Sequence, residues 1–415
     1  MPGDSPLNGS DYLMLGFDYE LRRQGYPGNS CQIVLELDRK ISADALRQRL
    51  NFLVQRYPIL ASRPAGWFTP RWKAVSPFVP SVRVQGSASQ SLEPLALNRG
   101  ELFRFDLIER GSEMDVVFTW THALMDAPSA EHFLAVVGRE DVSLPATTPL
   151  PPRPKKPFKE RVQLARKNVN QLSDFCKAAP RTVGLRFPQA PKVQRYCVER
   201  FTVEETARIK ANGVKLCGAL GDAQFHAAVA MMELHRLHQR IGKPSPSYVL
   251  PVPVSLRAKG SVEPVFSNQI AMLMVQFLPE QLDATVAAVA TLKAQLAQSL
   301  RDRRIEAGVA ITELSRGLPF PLYLYILKQH GLRGEICSFF YGDVANVSPL
   351  LTTFLGANIT DFTHVGATTP SPGIGAIFYY FGGKMRVTVF YLETHFSASE
   401  AAEFAANVRQ RLLNP

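Results

Sequence analysis

The sequence predicts a mixed α/β protein of two lobes, with helices covering mixed sheets. Segments with a helical apolar stripe alternate with β-rich runs along all 415 residues. That length exceeds one usual domain, so two domains or lobes are expected. A proline-rich stretch from Leu144 to Pro157 interrupts the alternation. Proline removes a backbone donor and fixes its own dihedral, so this stretch reads as an extended crossover dividing residues 1–157 from 158–415.

The elements follow from local chemistry. Ser42 can cap a helix running to Val54, with Ile41 and Leu46 as a hydrophobic staple and Leu46, Leu50, Leu53 and Val54 as its apolar stripe. Leu102 to Ile108 and Met114 to Trp120, joined by Arg110-Gly111-Ser112, read as a hairpin. A short helix from Ala127 through His132 to Val137 follows, and beyond the crossover a basic helix spans Phe158 to Lys177. Asp222 to Gln239 reads as a helix, and Tyr248–Val254 and Ile270–Phe277 as strands. Asp283 can cap a helix whose Val289, Leu292, Leu296 and Leu300 face the core. Gly382-Gly383 suits a hairpin turn between Ile377–Phe381 and Met385–Leu392. Ser397 and Glu400 form a capping box for a last helix with Phe404, Val408 and Leu412 on one face.

Composition narrows the function classes. With 46% hydrophobic and 20% charged residues the chain can bury sizeable cores. No run reaches the ~18 apolar residues of a membrane span, and the N-terminus lacks the basic start and apolar core of a signal peptide. The five cysteines, Cys31, Cys176, Cys197, Cys217 and Cys337, are scattered without a CxxC pair. Neither a disulfide framework nor a zinc site is expected, and a cytoplasmic location is the simplest reading. The net charge of +11 can favour nucleic acid, anionic lipid, or phosphate-bearing ligands such as coenzyme A and acidic carrier proteins, leaving room for peripheral membrane contact. Lys and Arg are dispersed and no nucleic-acid-binding module accompanies them, so most read as solvated faces.

The densest chemistry lies at Trp120-Thr121-His122-Ala123-Leu124-Met125-Asp126-Ala127, directly after the apolar run Val116-Val117-Phe118. Histidine takes a proton near neutral pH, and a base just past a buried strand can face a substrate while the strand holds it still. Asp126 can fix the loop through charge-assisted hydrogen bonds. Competing motifs fall away. His226, His235 and His238 share a helix without supporting carboxylates or thiols, which reads as a polar helix face and no metal site. Gly373-Ile374-Gly375 lacks the third glycine of a dinucleotide fingerprint, and G-x-S-x-G is absent.

Four separated segments resemble the CoA-dependent acyltransferase superfamily, which includes chloramphenicol acetyltransferase, BAHD acyltransferases, wax ester synthases and the condensation domains of peptide synthetases. The first runs from Ile33-Val34-Leu35-Glu36-Leu37 through Ile41–Leu46 to Arg56-Tyr57-Pro58-Ile59-Leu60, similar to the strand, helix and "R-H/Y-P-x-L" segment. The HxxxD segment is the second. Pro253-Val254-Ser255-Leu256-Arg257 with Phe266-Ser267-Asn268 is similar to "P-V-x-x-R … F-G-N", and Ala345-Asn346-Val347-Ser348-Pro349 to the C-terminal "S-N-V/L" motif.

The resemblance implies two chloramphenicol-acetyltransferase-like lobes with an active-site tunnel between them. It implies an acyltransferase moving an acyl group from acyl-CoA, or from the phosphopantetheine of a carrier protein, to an alcohol or amine. Transfer would be direct, in a ternary complex, with no permanently bound cofactor and no metal. His122 would be the base, and Asp126 would pair with an arginine, Arg257 by its segment or Arg56 as second candidate. Asn346, Ser348 and Asn268 would stabilise the oxyanion or line the channel. The chain departs from the pattern at Thr121, where condensation domains and most wax ester synthases carry a first histidine. Ala127 stands where these members have a glycine, adding a methyl at a tight turn, and Ser267 replaces the glycine of F-G-N. The departures leave a second reading, a non-catalytic condensation-like module that binds a carrier protein or partner enzyme.

Overall fold

A computed structural model of the chain describes residues 5–86, 92–139, 156–179, 183–219, 221–257, 265–332, 334–347 and 349–415. The architecture is mixed α/β, with two large apolar cores that define two lobes. The first core lies against a six-stranded sheet ordered 353–354, 357–365, 30–37, 113–121, 103–110 and 82–85. Its neighbours are antiparallel, except that 82–85 runs parallel to 103–110. The second core lies against a four-stranded sheet ordered 340–346, 374–381, 384–392 and 194–200, beside which the hairpin of 248–255 and 270–277 stands. The strand Ala357–Val365, late in the chain, pairs with Ser30–Leu37, so the first lobe's sheet is completed from the C-terminal half.

Local signals account for many elements. Ser42 Oγ accepts from the Ala45 amide and begins the helix Ala43–Arg56, whose Leu46, Leu50 and Leu53 are fully buried. The hairpin Phe103–Arg110/Glu113–Thr121 turns at Gly111 in the left-handed region, and Gly382-Gly383 turn the last hairpin with φ of +55° and +75°. The Ser397–Glu400 capping box starts the helix Ala398–Leu413, which buries Phe404, Val408 and Leu412. The basic helix occupies Phe158–Ala178, while the proline-rich crossover preceding it lies largely outside the described residues.

Two expectations are corrected. The helix Thr285–Arg301 begins after Ala284 with no side-chain cap: Asp283 ends a preceding 3-10 turn, one residue too early to reach the first amides, and Leu300 is exposed. The helix Asp222–Arg240 does not present its histidines to water, because it runs through the second core and buries His226, His235 and His238. Each finds compensation inside: His226 Nδ1 meets Asp343 Oδ2 at 2.8 Å and stacks on Phe378, and His235 Nδ1 meets the Tyr248 hydroxyl at 3.0 Å. His238 packs edge-on against the same tyrosine.

Candidate active site

His122 leaves the end of the strand Glu113–Thr121 and enters a tight turn. The Leu124 amide donates to the Thr121 carbonyl at 3.0 Å, and the Trp120 indole donates to the Met125 carbonyl at 3.0 Å. The His122 amide donates to the carbonyl of Asn29 at 2.9 Å. That neighbour is fixed in turn, because the Asn29 amide donates to Asp18 Oδ1 at 2.9 Å. Gly28, with φ of +111°, permits this approach: a Cβ there would stand 2.4 Å from the same Asp18 oxygen.

Asp126 is the N-cap of the helix Ala127–Gly138, and its Oδ1 accepts from the Ser129 amide at 3.2 Å. The same oxygen accepts from Arg257 Nη2 at 2.5 Å, and Oδ2 accepts from the Gln269 amide at 2.8 Å. Both members of the ion pair are buried, at 4% and 8% side-chain exposure. Arg257 Nη2 also donates to Ser129 Oγ, which donates onward to the Val265 carbonyl. The aspartate is thus clamped by the second lobe, and among the described residues its hydrogen-bond partners Ser129, Arg257 and Gln269 do not include His122. Ala127 occupies the first helical position, outside the left-handed region, so its methyl causes no strain there.

Arg56 is exposed at the end of its helix, and Arg257 is the arginine that meets Asp126. The adjacent Tyr57 is buried and packs on Phe266, whose ring also meets Phe133 edge-on. The "R-Y-P" and "F-S-N" segments, 210 residues apart by their numbers 56 and 266, therefore touch across the lobes. Asn268 is fully enclosed, and its Nδ2 donates to the His122 carbonyl at 2.8 Å and to Asp11 Oδ1 at 2.9 Å. With both amide donors engaged, it holds the His122 main chain. Asn346 is exposed at the end of its strand, and no hydrogen bond links it to His122 among the described residues; Ser348 lies outside them.

Three contributors escaped sequence reading. Asp11 is the third residue of the helix Gly9–Arg23 and accepts from both the amide and the side chain of Asn268, at 2.7 and 2.9 Å. Burial pushes its carboxyl up to about 7, against the pull of those hydrogen bonds. Ser129 and Gln269 complete the clamp on Asp126. The Asn8/Asp11 capping box was the available signal for the helix.

The imidazole of His122 is half-buried, with Nδ1 enclosed. Burial lowers its pKa from the ordinary 6.5, while its own carbonyl, the charge on Asp126 and the Asn268 side chain oppose the shift. The ring is therefore neutral at pH 7 and able to accept a proton. The described residues contain no group of three or more histidines, cysteines, aspartates and glutamates arranged to hold a metal.

No protein-family model and no curated protein matches the sequence. The fold matches many solved structures. TRI3, the trichothecene 15-O-acetyltransferase from Fusarium sporotrichioides, superposes with a TM-score of 0.72 at 10% identity, over 99% of this chain and 95% of that one. The first condensation domain of the calcium-dependent antibiotic synthetase gives 0.69 at 14% identity, over 100% and 97%. The starter condensation domain of rhizomide synthetase, solved with C8-CoA and Leu-SNAC, gives 0.63 at 13% identity, over 99% and 94%. The chain has the fold these proteins share, that of the CoA-dependent acyltransferases and condensation domains.

Proposed function

We propose that the protein is an acyltransferase carrying an acyl group from an acyl thioester, on coenzyme A or a carrier protein, to an alcohol or amine. The observation that carries this reading is His122 itself: its main chain is held from two directions, by Asn29 and Asn268, and its imidazole is kept neutral by burial, with Nδ1 enclosed, so that Nε2 is the nitrogen we assign to meet a substrate. The acetyl-transfer and acyl-CoA chemistry named for structures of the same fold supports it.

In the proposed reaction the acceptor's oxygen or nitrogen attacks the thioester carbonyl while Nε2 takes its proton. The tetrahedral oxyanion collapses, the C–S bond breaks, and the imidazolium returns the proton to the departing thiolate. We assign the oxyanion donors to the Asn346–Ser348 segment. Val347 supports this placement: it donates to Tyr380 in the second lobe while its side chain packs in the first lobe's core. Asp126 and Arg257 position the loop, and Asn268 positions the base.

The test is thiol release from a panel of acyl-CoA donors with mixed alcohols and amines. Wild-type protein should turn over, and His122→Ala should lose about 10²–10⁴-fold with its circular dichroism unchanged. Because burial depresses the His122 pKa, the acid limb of kcat/KM should fall below pH 6.5. Near wild-type turnover in His122→Ala would sink the assignment. Thioester binding without turnover in the wild type would favour the module that binds a carrier protein or partner enzyme.

A further inference from the structure

A patch of aromatic side chains stands uncovered at one surface of the first lobe. Trp67 and Phe68 form the tip of the hairpin Ser62–Ala65/Arg71–Ala74 and are 55% and 66% exposed. The tip is not loose. The Phe68 carbonyl accepts from the Phe320 amide at 2.8 Å, and the Trp67 ring packs on Tyr19 and edge-on against Phe320. The helix Phe320–Leu332 begins there and extends the patch with Leu322 and Tyr325, 46% and 60% exposed. Isolated exposed apolar residues are ordinary; here Tyr19, Trp67 and Phe68 are joined through Phe320 by ring contacts and a backbone bond, and Leu322 and Tyr325 stand exposed on the helix that Phe320 begins, which together mark a docking surface.

Charge identifies what docks. Arg71 and Lys73 follow the tip on its return strand, and Lys328 lies one turn beyond Tyr325. All three are exposed, with no carboxylate partner among the described residues. On the helix that carries Tyr19, Glu20 is already paired to Arg23. Tryptophan, tyrosine and phenylalanine set among unpaired cations suit the boundary of an anionic bilayer, where rings sink to headgroup level and cations meet lipid phosphates and carboxylates. A protein partner would require complementary acids and a shaped pocket, whereas this patch centres on an exposed hairpin tip. The patch also adjoins the candidate site: Tyr12, next to Asp11, packs on both Phe320 and Tyr323.

We propose that this face, built from Trp67, Phe68, Tyr19, Leu322 and Tyr325 and ringed by Arg71, Lys73 and Lys328, seats the protein on an anionic membrane surface. The inference stands apart from the acyl-transfer reading and would hold if the protein were only a binding module.

The full chain is incubated with vesicles of phosphatidylcholine with or without phosphatidylserine, then sedimented. Cosedimentation with the anionic vesicles, weakening with salt, is expected. Trp67 is the exposed tryptophan of three, Trp72 and Trp120 being buried, so its emission should shift to the blue on binding. The double variant Trp67→Ser, Phe68→Ser should lose binding by at least tenfold while melting as the wild type does. Arg71→Gln and Lys73→Gln should each weaken partitioning roughly fivefold on anionic vesicles alone. Failure to sediment, or sedimentation that the tip variants leave unchanged, overturns the proposal. Concentration-dependent dimerisation abolished by Trp67→Ser, without vesicle binding, would assign the patch to a second copy of this chain and overturn it equally.

Discussion

In the role proposed for it, His122 must be unprotonated, held still and open on one side, and a different neighbour bears on each condition. Burial favours the neutral ring, Asn29 and Asn268 hold its main chain from two directions, and Nδ1 is enclosed, so the proposed chemistry falls to Nε2. Asp126 serves at one remove, as helix cap and as partner of Arg257. Because that ion pair is buried, removing one member strands the other's charge at a cost of roughly 3–5 kcal/mol. Asp126→Ala and Arg257→Ala should each lower stability by about that amount and reduce turnover. Their double mutant should fall well short of the sum, since the second substitution removes a charge already stranded. Denaturant titration of the four proteins measures the coupling. Additive losses would show that the pair does not hold the loop.

At the scale of elements, helix Gly9–Arg23 has the largest unread role. Its N-terminal Asp11 satisfies the helix's own capping box and anchors Asn268, 257 residues away, through two hydrogen bonds. Asp11→Ala should release Asn268 and with it the His122 carbonyl. A small misplacement of a reacting group can cost up to about 10²-fold, so kcat should fall by that order with KM for the donor little changed. A second readout separates positioning from simple damage. The folded protein holds a proton at Asp11 up to about pH 7 that the unfolded chain releases near its ordinary 3.8, so this group makes stability fall as pH rises across that window. The variant should lose that part of the slope; unchanged kcat and an unchanged slope would remove Asp11 from the site. What could be read from sequence follows the range of the interactions. Ser42, Ser397 and the Gly382-Gly383 turn act within a few residues and were legible. So was the setting of His122 just past a strand end, though not that Asp126 caps the helix that follows. Asp283 misled because a capping residue one position early is chemically identical to a correct one. The three histidines of Asp222–Arg240 misled because polarity was read without their partners, Asp343 and Tyr248, which lie on distant strands. Arg257 was named through family likeness, whereas its partnership with Ser129 depends on a contact across 128 positions that no local pattern encodes.

For the whole molecule, the chain's order and the sheet's order disagree in a way that sets its folding logic. Cutting at residue 157 would separate the strand Ala357–Val365 from Ser30–Leu37 and leave the latter as a sheet edge. That edge carries Ile33, Leu35 and Leu37, all fully buried in the intact protein, and Phe362 would leave the same core. An unpaired apolar edge invites association with other chains. The helix after Asp126 would also lose a tie, the 2.9 Å contact between Glu131 and His364, both buried. Arg257, Gln269 and Asn268 would be missing from the loop that carries His122. Residues 1–157 expressed alone should therefore be insoluble or aggregate, and residues 158–415 should be inactive. Coexpressed halves should recover a soluble one-to-one complex with measurable thiol release, because the interface holds both the sheet pairing and the Asp126–Arg257 clamp. Size-exclusion chromatography with mass measurement, followed by the thiol assay, reads both outcomes. A soluble, cooperatively unfolding fragment 1–157 that transfers acyl groups alone would show that neither the borrowed strand nor the second lobe's arginine is needed for the site.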